Sequence, residues 1–167
     1  MKPDRLFSTA VLMLLSASVL SFFALAGPAQ LPPADEAAAF KAAGFKHKGK
    51  TWQQCDDPTP SYTAGEVEQV RDANGDGRLD AVLTEGSTFC YGNAGVGYSL
   101  VSKQVDGRWK LITSGAGIVT FQHARGAGGW LDIEIGGPGF CFPVLRWNGR
   151  DYVLQRYQYE GKRCTPK

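Results

Sequence analysis

The sequence predicts a mainly β domain: two related antiparallel β-meander units packed together, preceded by a short helix. Three observations carry this prediction. From Gly65 onward, short runs rich in Val, Ile, Leu, Tyr and Trp are punctuated by turns at Asn74-Gly75-Asp76-Gly77, Asp106-Gly107 and Asn148-Gly149. Within this region the chain repeats itself: Leu79-Asp80 matches Leu131-Asp132, and Phe89-Cys90 matches Phe140-Cys141. A run of good helix formers, by contrast, occurs once after the apolar N-terminal stretch, at Ala37 to Ala43.

Taken in order, the chain opens with the pattern of an export signal. Lys2 and Arg5 precede an apolar run from Leu6 to Leu25, and Ala24-Leu-Ala26 supplies small residues for cleavage after Ala26. Residues 1–26 are thus expected to be a signal peptide, with an uncleaved anchor as the alternative. No Cys follows the run, so no lipid anchor is expected after cleavage. Residues 27–34 read as a flexible Pro-containing leader. The predicted helix covers 35–43, with Asp35 as its cap and Gly44 as the left-handed residue that ends it, so that Phe45 packs back on Phe40. Phe45 to Trp52 then forms a small hairpin that turns at Gly49. Strands are expected near 65–71, 80–85, 97–104 and 108–114 in repeat one, about 64–115. Repeat two, about 117–160, has strands near 117–121, 131–136, 141–147 and 151–159. A β unit of this period is that of a propeller blade, but two copies cannot close a ring and must bury their faces on each other or on the helix.

The mature chain would carry 16 basic and 15 acidic residues, a balance that gives no reason to expect nucleic acid as a partner. Its 141 residues suit a single domain, expected to be a monomer. Cys55, Cys90, Cys141 and Cys164 all lie in the mature part, an even number in an exported chain, which predicts two disulfides. Three connectivities are open; sequential pairing closes the shortest loops and is preferred. Localisation is accordingly expected to be periplasmic or secreted.

The residues that point to chemistry are Asp72-Ala-Asn74-Gly-Asp76-Gly-Arg78-Leu-Asp80. Oxygen-bearing side chains fall at positions 1, 3, 5 and 9 of one loop, and Gly75 and Gly77 permit the curl that turns them inward. The predicted calcium ligands are the side chains of Asp72, Asn74, Asp76 and Asp80 with the Arg78 carbonyl. The competing reading is an ion-free turn, since Asn, Asp and Gly each favour turns for reasons of their own.

This loop, followed by Ala-Val-Leu, resembles the calcium loop of FG-GAP and VCBS-type repeats, the blade units of integrin-like propellers. With the later Trp147-Asn-Gly-Arg-Asp-Tyr152 it is also similar to small exported proteobacterial proteins that carry one such loop. The resemblance covers roughly residues 64–160. It implies a β-repeat fold and a structural calcium ion, and it implies no reaction. Position 12 of the loop is Leu83, where an EF-hand has a bidentate Glu, so the implied affinity is that of extracellular modules, on the order of 0.1–1 mM.

Catalytic signals are weaker. Glu85, Asp132 and Glu134 could form an acid pair if they converged, but strand residues alternate and all three could face solvent. Ser87, Ser99, His123 and Asp151 lack the setting of an activated nucleophile. Most aromatics are assigned to the core, while Tyr91 and Trp130 beside Gly-rich loops are candidate stacking surfaces for a ligand. The function expected is an exported, non-catalytic binding or structural module with one structural calcium, its ligand an envelope or extracellular protein or glycan. The alternative is a small hydrolase, or hydrolase inhibitor, acting on envelope polymers.

Overall fold

The structure, a computed structural model, describes residues 30–166. The signal peptide expected over 1–26 and leader residues 27–29 lie outside the described residues. Helix α1 (Pro33–Ala42) begins two residues earlier than its sequence suggests, because Pro33 stands at its first position, where a missing N–H costs nothing. Asp35 is therefore not the cap. Its carboxylate instead accepts from Lys103 Nζ at 2.8 Å and Trp109 Nε1 at 3.1 Å, tying the helix to a strand. The leader is also shorter than expected, since Leu31 is buried in the core beside the helix. The helix closes as its sequence predicts: the Phe45 amide donates to the Phe40 carbonyl, Gly44 to Lys41, and the two Phe rings meet edge to face.

The first sheet runs β1 (Lys46–Lys48), β2 (Thr51–Gln53), β3 (Thr63–Arg71), β4 (Asp80–Gly86), β5 (Val96–Lys103) and β6 (Trp109–Ala116), with neighbours in chain order. The second holds β7 (Ile118–Arg125), β8 (Leu131–Gly136), β9 (Phe142–Trp147), β10 (Tyr152–Tyr159) and a short β11 (Lys162–Arg163), again in meander order. Every pairing is antiparallel. The fold is thus two curled antiparallel meanders with an N-terminal helix, as the sequence predicts. Two elements it does not announce are β11 and a single helical turn, α2 (Thr88–Tyr91), whose cap Ser87 accepts the Cys90 amide at 3.0 Å. The chain passes between sheets at Gly117, where φ is +127° and an added Cβ would lie 2.6 Å from the Gly136 carbonyl oxygen.

The stacking order of helix and sheets follows from strand alternation. On β4, Ala81 and Leu83 pack with Phe40 and Phe45 against the helix, whereas Val82 faces the second sheet and meets Val119, Trp130 and Ile133. Ile133 is the repeat counterpart of Ala81. Each unit therefore buries the same face against whatever precedes it: the first sheet against the helix, the second against the first sheet. Among the described residues, the opposite face of the second sheet has no such neighbour and is polar, linking Asp132, Arg146, Arg156, Gln158, Glu134 and Gln122.

Two disulfides, Cys55–Cys90 and Cys141–Cys164, staple one sheet each. They realise the sequential pairing and point to an oxidising environment. Among the described residues, no helix is long and apolar enough to cross a membrane.

Candidate functional site

The loop from Asp72 to Asp80 joins β3 to β4 and curls as its glycines demand, with φ of +79° at Gly75 and +80° at Gly77. Asp72 organises it. One carboxylate oxygen accepts the amides of Gly75 and Asp76, and the other accepts Gly77 at 2.9 Å. Burial works against ionisation of Asp72, but these backbone donors outweigh it and hold its carboxyl below the ordinary range. Asn74 and Asp76 cap the amides of Asp76 and Arg78, and the Arg78 guanidinium folds back onto Asp76. Among the described residues, no three His, Cys, Asp or Glu side chains converge as a ready-made metal cluster. Asp76 would have to exchange its Arg78 partner for an ion.

Asp80 closes the loop from below. It is fully buried, and its Oδ2 accepts the Ala73 amide at 2.7 Å. Towards its Oδ1 stands only the hydroxyl of buried Ser102, its cross-strand neighbour on β5, a neutral group with no other partner. Burial drives the Asp80 carboxyl up to about 6, against the opposing pull of Ser102 and the Ala73 amide, with Asp76 and Asp72 adding repulsion. Asp132, the counterpart in the second repeat, is just as buried but has been neutralised. The register that pairs Ile133 with Leu145 sets it opposite Arg146, which grips both its oxygens at 2.9 Å, and Arg156 adds a third contact at 3.3 Å. Burial opposes ionisation there too, but the two guanidiniums hold the Asp132 carboxyl below its usual value. One buried acid thus has fixed cations and its twin has none.

This contrast has a pH signature in metal-free protein. Folded Asp80 keeps its proton to about pH 6 whereas the unfolded chain releases it near 3.8, so the folded state binds more protons in between. Stability from this group accordingly falls as pH rises through that window, by about 1 kcal/mol between pH 5 and 7. Chelator-treated protein should melt lower at pH 7 than at pH 5, and Asp80→Asn should flatten that difference.

The second polar centre is one that sequence reasoning missed. Glu85 does not face solvent; it is buried on the helix side of β4. Its carboxylate accepts the amides of Gln54 at 3.0 Å and Cys55 at 2.9 Å, the Tyr62 hydroxyl at 2.8 Å, and the Tyr91 hydroxyl. Burial, then the hydrogen bond and charge of Glu85, push both tyrosine hydroxyls up. Beside it, Ser87 donates to Asp57 at 2.7 Å, next to the Cys55–Cys90 bridge. Glu85 stands in the first sheet; Asp132 and Glu134 lie in the second, bound respectively by arginines and by Gln158. Asp132 and Glu134 are joined through Arg156 and Gln158, whereas Glu85 belongs to a separate network.

Of the two expected stacking surfaces, packing removes Trp130. Trp130 is buried between the sheets against Trp147 and Tyr152, because the second repeat sets it over the acidic loop: the Leu131 amide donates to the Ala73 carbonyl at 2.9 Å. Tyr91 is half-buried, its hydroxyl held by Glu85 and its ring lying where any side chain at position 97 would have to go. The exposed aromatics of these loops are instead Phe89 and Phe140, at 67% and 68%. They occupy the same position of the two repeats, each just before a bridged cysteine, a pairing visible in the sequence but assigned there to the core. His123 sits exposed on β7. Compared with models of known protein families, with curated protein sequences and with solved structures, the chain matches none of them.

Proposed function

We propose that the chain is an exported, non-catalytic binding module, periplasmic or secreted, whose first-repeat loop takes one structural calcium ion. The observation that carries this reading is that fully buried Asp80 at the loop base meets no cation among the described residues, set against the arginine-neutralised Asp132 in the second repeat. Leaving a buried carboxylate without a countercharge is costly, and a hard cation is the partner such a group would recruit at the base of a loop of oxygen donors. Asp72, Asn74, Asp76 and Asp80 would hold it through side chains, and Arg78 through its carbonyl; the likeness of the loop to FG-GAP and VCBS-type repeats supports the same set. The ion would lock the loop on which the second repeat rests, so its role is structural. Glu85 stands apart in the first sheet with four donors, and Asp132 is held by two arginines, which favours binding over acid catalysis. The partner class is an envelope or extracellular protein or glycan.

Thermal melting of the oxidised protein tests this. Calcium at tenfold excess over its Kd should stabilise the fold by about 1.4 kcal/mol relative to chelator. Asp80→Asn and Asp76→Ala should each lose that gain. Identical melting with calcium and with chelator in metal-stripped protein overturns the reading.

A further inference from the structure

A cleft opens where the two sheets meet, and it is unlike the rest of the surface. Its walls are Ala64, Val96, Ile118 and Val119, its acidic members Glu66 and Glu68, and its volume about 250 Å³. No Lys, Arg or His lines it. Among the described residues, neither Glu66 nor Glu68 takes part in an ion pair. Both are exposed on β3, and Ile118 remains 54% exposed at the opposite wall.

We infer that this cleft receives a lysine side chain of a partner polypeptide. An apolar cleft flanked by unpaired carboxylates is complementary to an alkyl stem that ends in a positive charge. The volume is below the roughly 300–1,000 Å³ of pockets that enclose whole small ligands, and suits one long side chain. Lysine fits better than arginine: Glu66 and Glu68 are two separate acceptors, which a compact ammonium with rotatable donors satisfies, whereas a guanidinium fork seeks one coplanar bidentate carboxylate. The polypeptide source follows from the edge. β7 ends its sheet, so an extended segment can lie along it past Ile118 and drop its lysine between the sheets. This inference rests on the reading of the chain as a binding module and is independent of calcium in the loop.

The test is backbone-amide NMR of the oxidised protein, with calcium and again with chelator, titrated with acetyl-Gly-Lys-Gly-amide, its norleucine analogue and 1,5-diaminopentane. The lysine peptide should shift Ala64, Val96, Ile118 and Val119 saturably in both conditions. Binding should weaken roughly tenfold in the Glu66→Gln, Glu68→Gln double variant, whose exposed substitutions leave melting unchanged. Equal binding by the norleucine peptide, or full binding by the double variant, overturns the charge-complementary site. Tighter binding of 1,5-diaminopentane than of the peptide overturns the polypeptide occupant. No shift in either condition overturns the cleft, while calcium-dependent melting, which depends on the loop alone, is read separately.

Discussion

Glu85→Ala is expected to destabilise the oxidised protein by about 3–5 kcal/mol, more than any change on the acidic loop. The carboxylate accepts four donors: two backbone amides from the segment after β2, and two phenols, one just before β3 and one at the end of α2. Removing it leaves those donors buried or half-buried without an acceptor, each at a cost of about 1–3 kcal/mol where water cannot enter. The methylene stem is lost as well, leaving a cavity beneath the helix. Glu85→Gln should cost less but still substantially, because its amide nitrogen presents donors to donors. Urea unfolding of the three proteins measures this. A loss under 1 kcal/mol for the alanine variant would mean that solvent reaches these groups and the centre is not structural.

Removing the Cys55–Cys90 bridge as a paired Ala variant should cost about 3–4 kcal/mol, through the freedom returned to a loop of 35 residues in the unfolded chain. The Cys141–Cys164 bridge closes 23 residues, and its loss should cost slightly less. The first bridge carries an added consequence. It fixes the segment whose Gln54 and Cys55 amides bind Glu85, so its loss and Glu85→Gln should be less than additive in a double-mutant cycle. Full additivity would separate the staple from the carboxylate centre. Free-thiol titration of denatured, unreduced protein should find no reactive cysteine.

What could be read from the sequence was local. Strand spans, the helix close at Gly44 and Phe45, the hairpin at Gly49 and the repeat offset all follow from patterns within a few residues or from direct self-similarity. The helix start was misplaced because Asp35 is a good cap in isolation; Pro33 pre-empts it, and Asp35 is drawn to Lys103 and Trp109, far along the chain. The role of Glu85 was illegible for the same reason, its donors lying at 54, 55, 62 and 91. Asp132 looked like a solvent-facing strand acid because only the sheet register brings Arg146 and Arg156 onto it. Phe89 and Phe140 were assigned to the core by residue type, and their exposure depends on how the disulfide-bound turns project. The acidic loop is legible as a curl of ligand-type residues; that Asp80 is buried without a cation emerges only once β4 is buried between strands.

The central claim, a cation at Asp80, is tested most directly by terbium luminescence. Terbium is a hard, oxygen-seeking ion that replaces calcium, and it emits when a nearby indole is excited. Trp130 shares its core cluster with Ala73 of the loop. Excitation of tryptophan in metal-stripped protein should give terbium emission that saturates at one ion per chain, is displaced by calcium and is lost in Asp80→Asn. Absence of sensitised emission, or emission unchanged by Asp80→Asn, would contradict it.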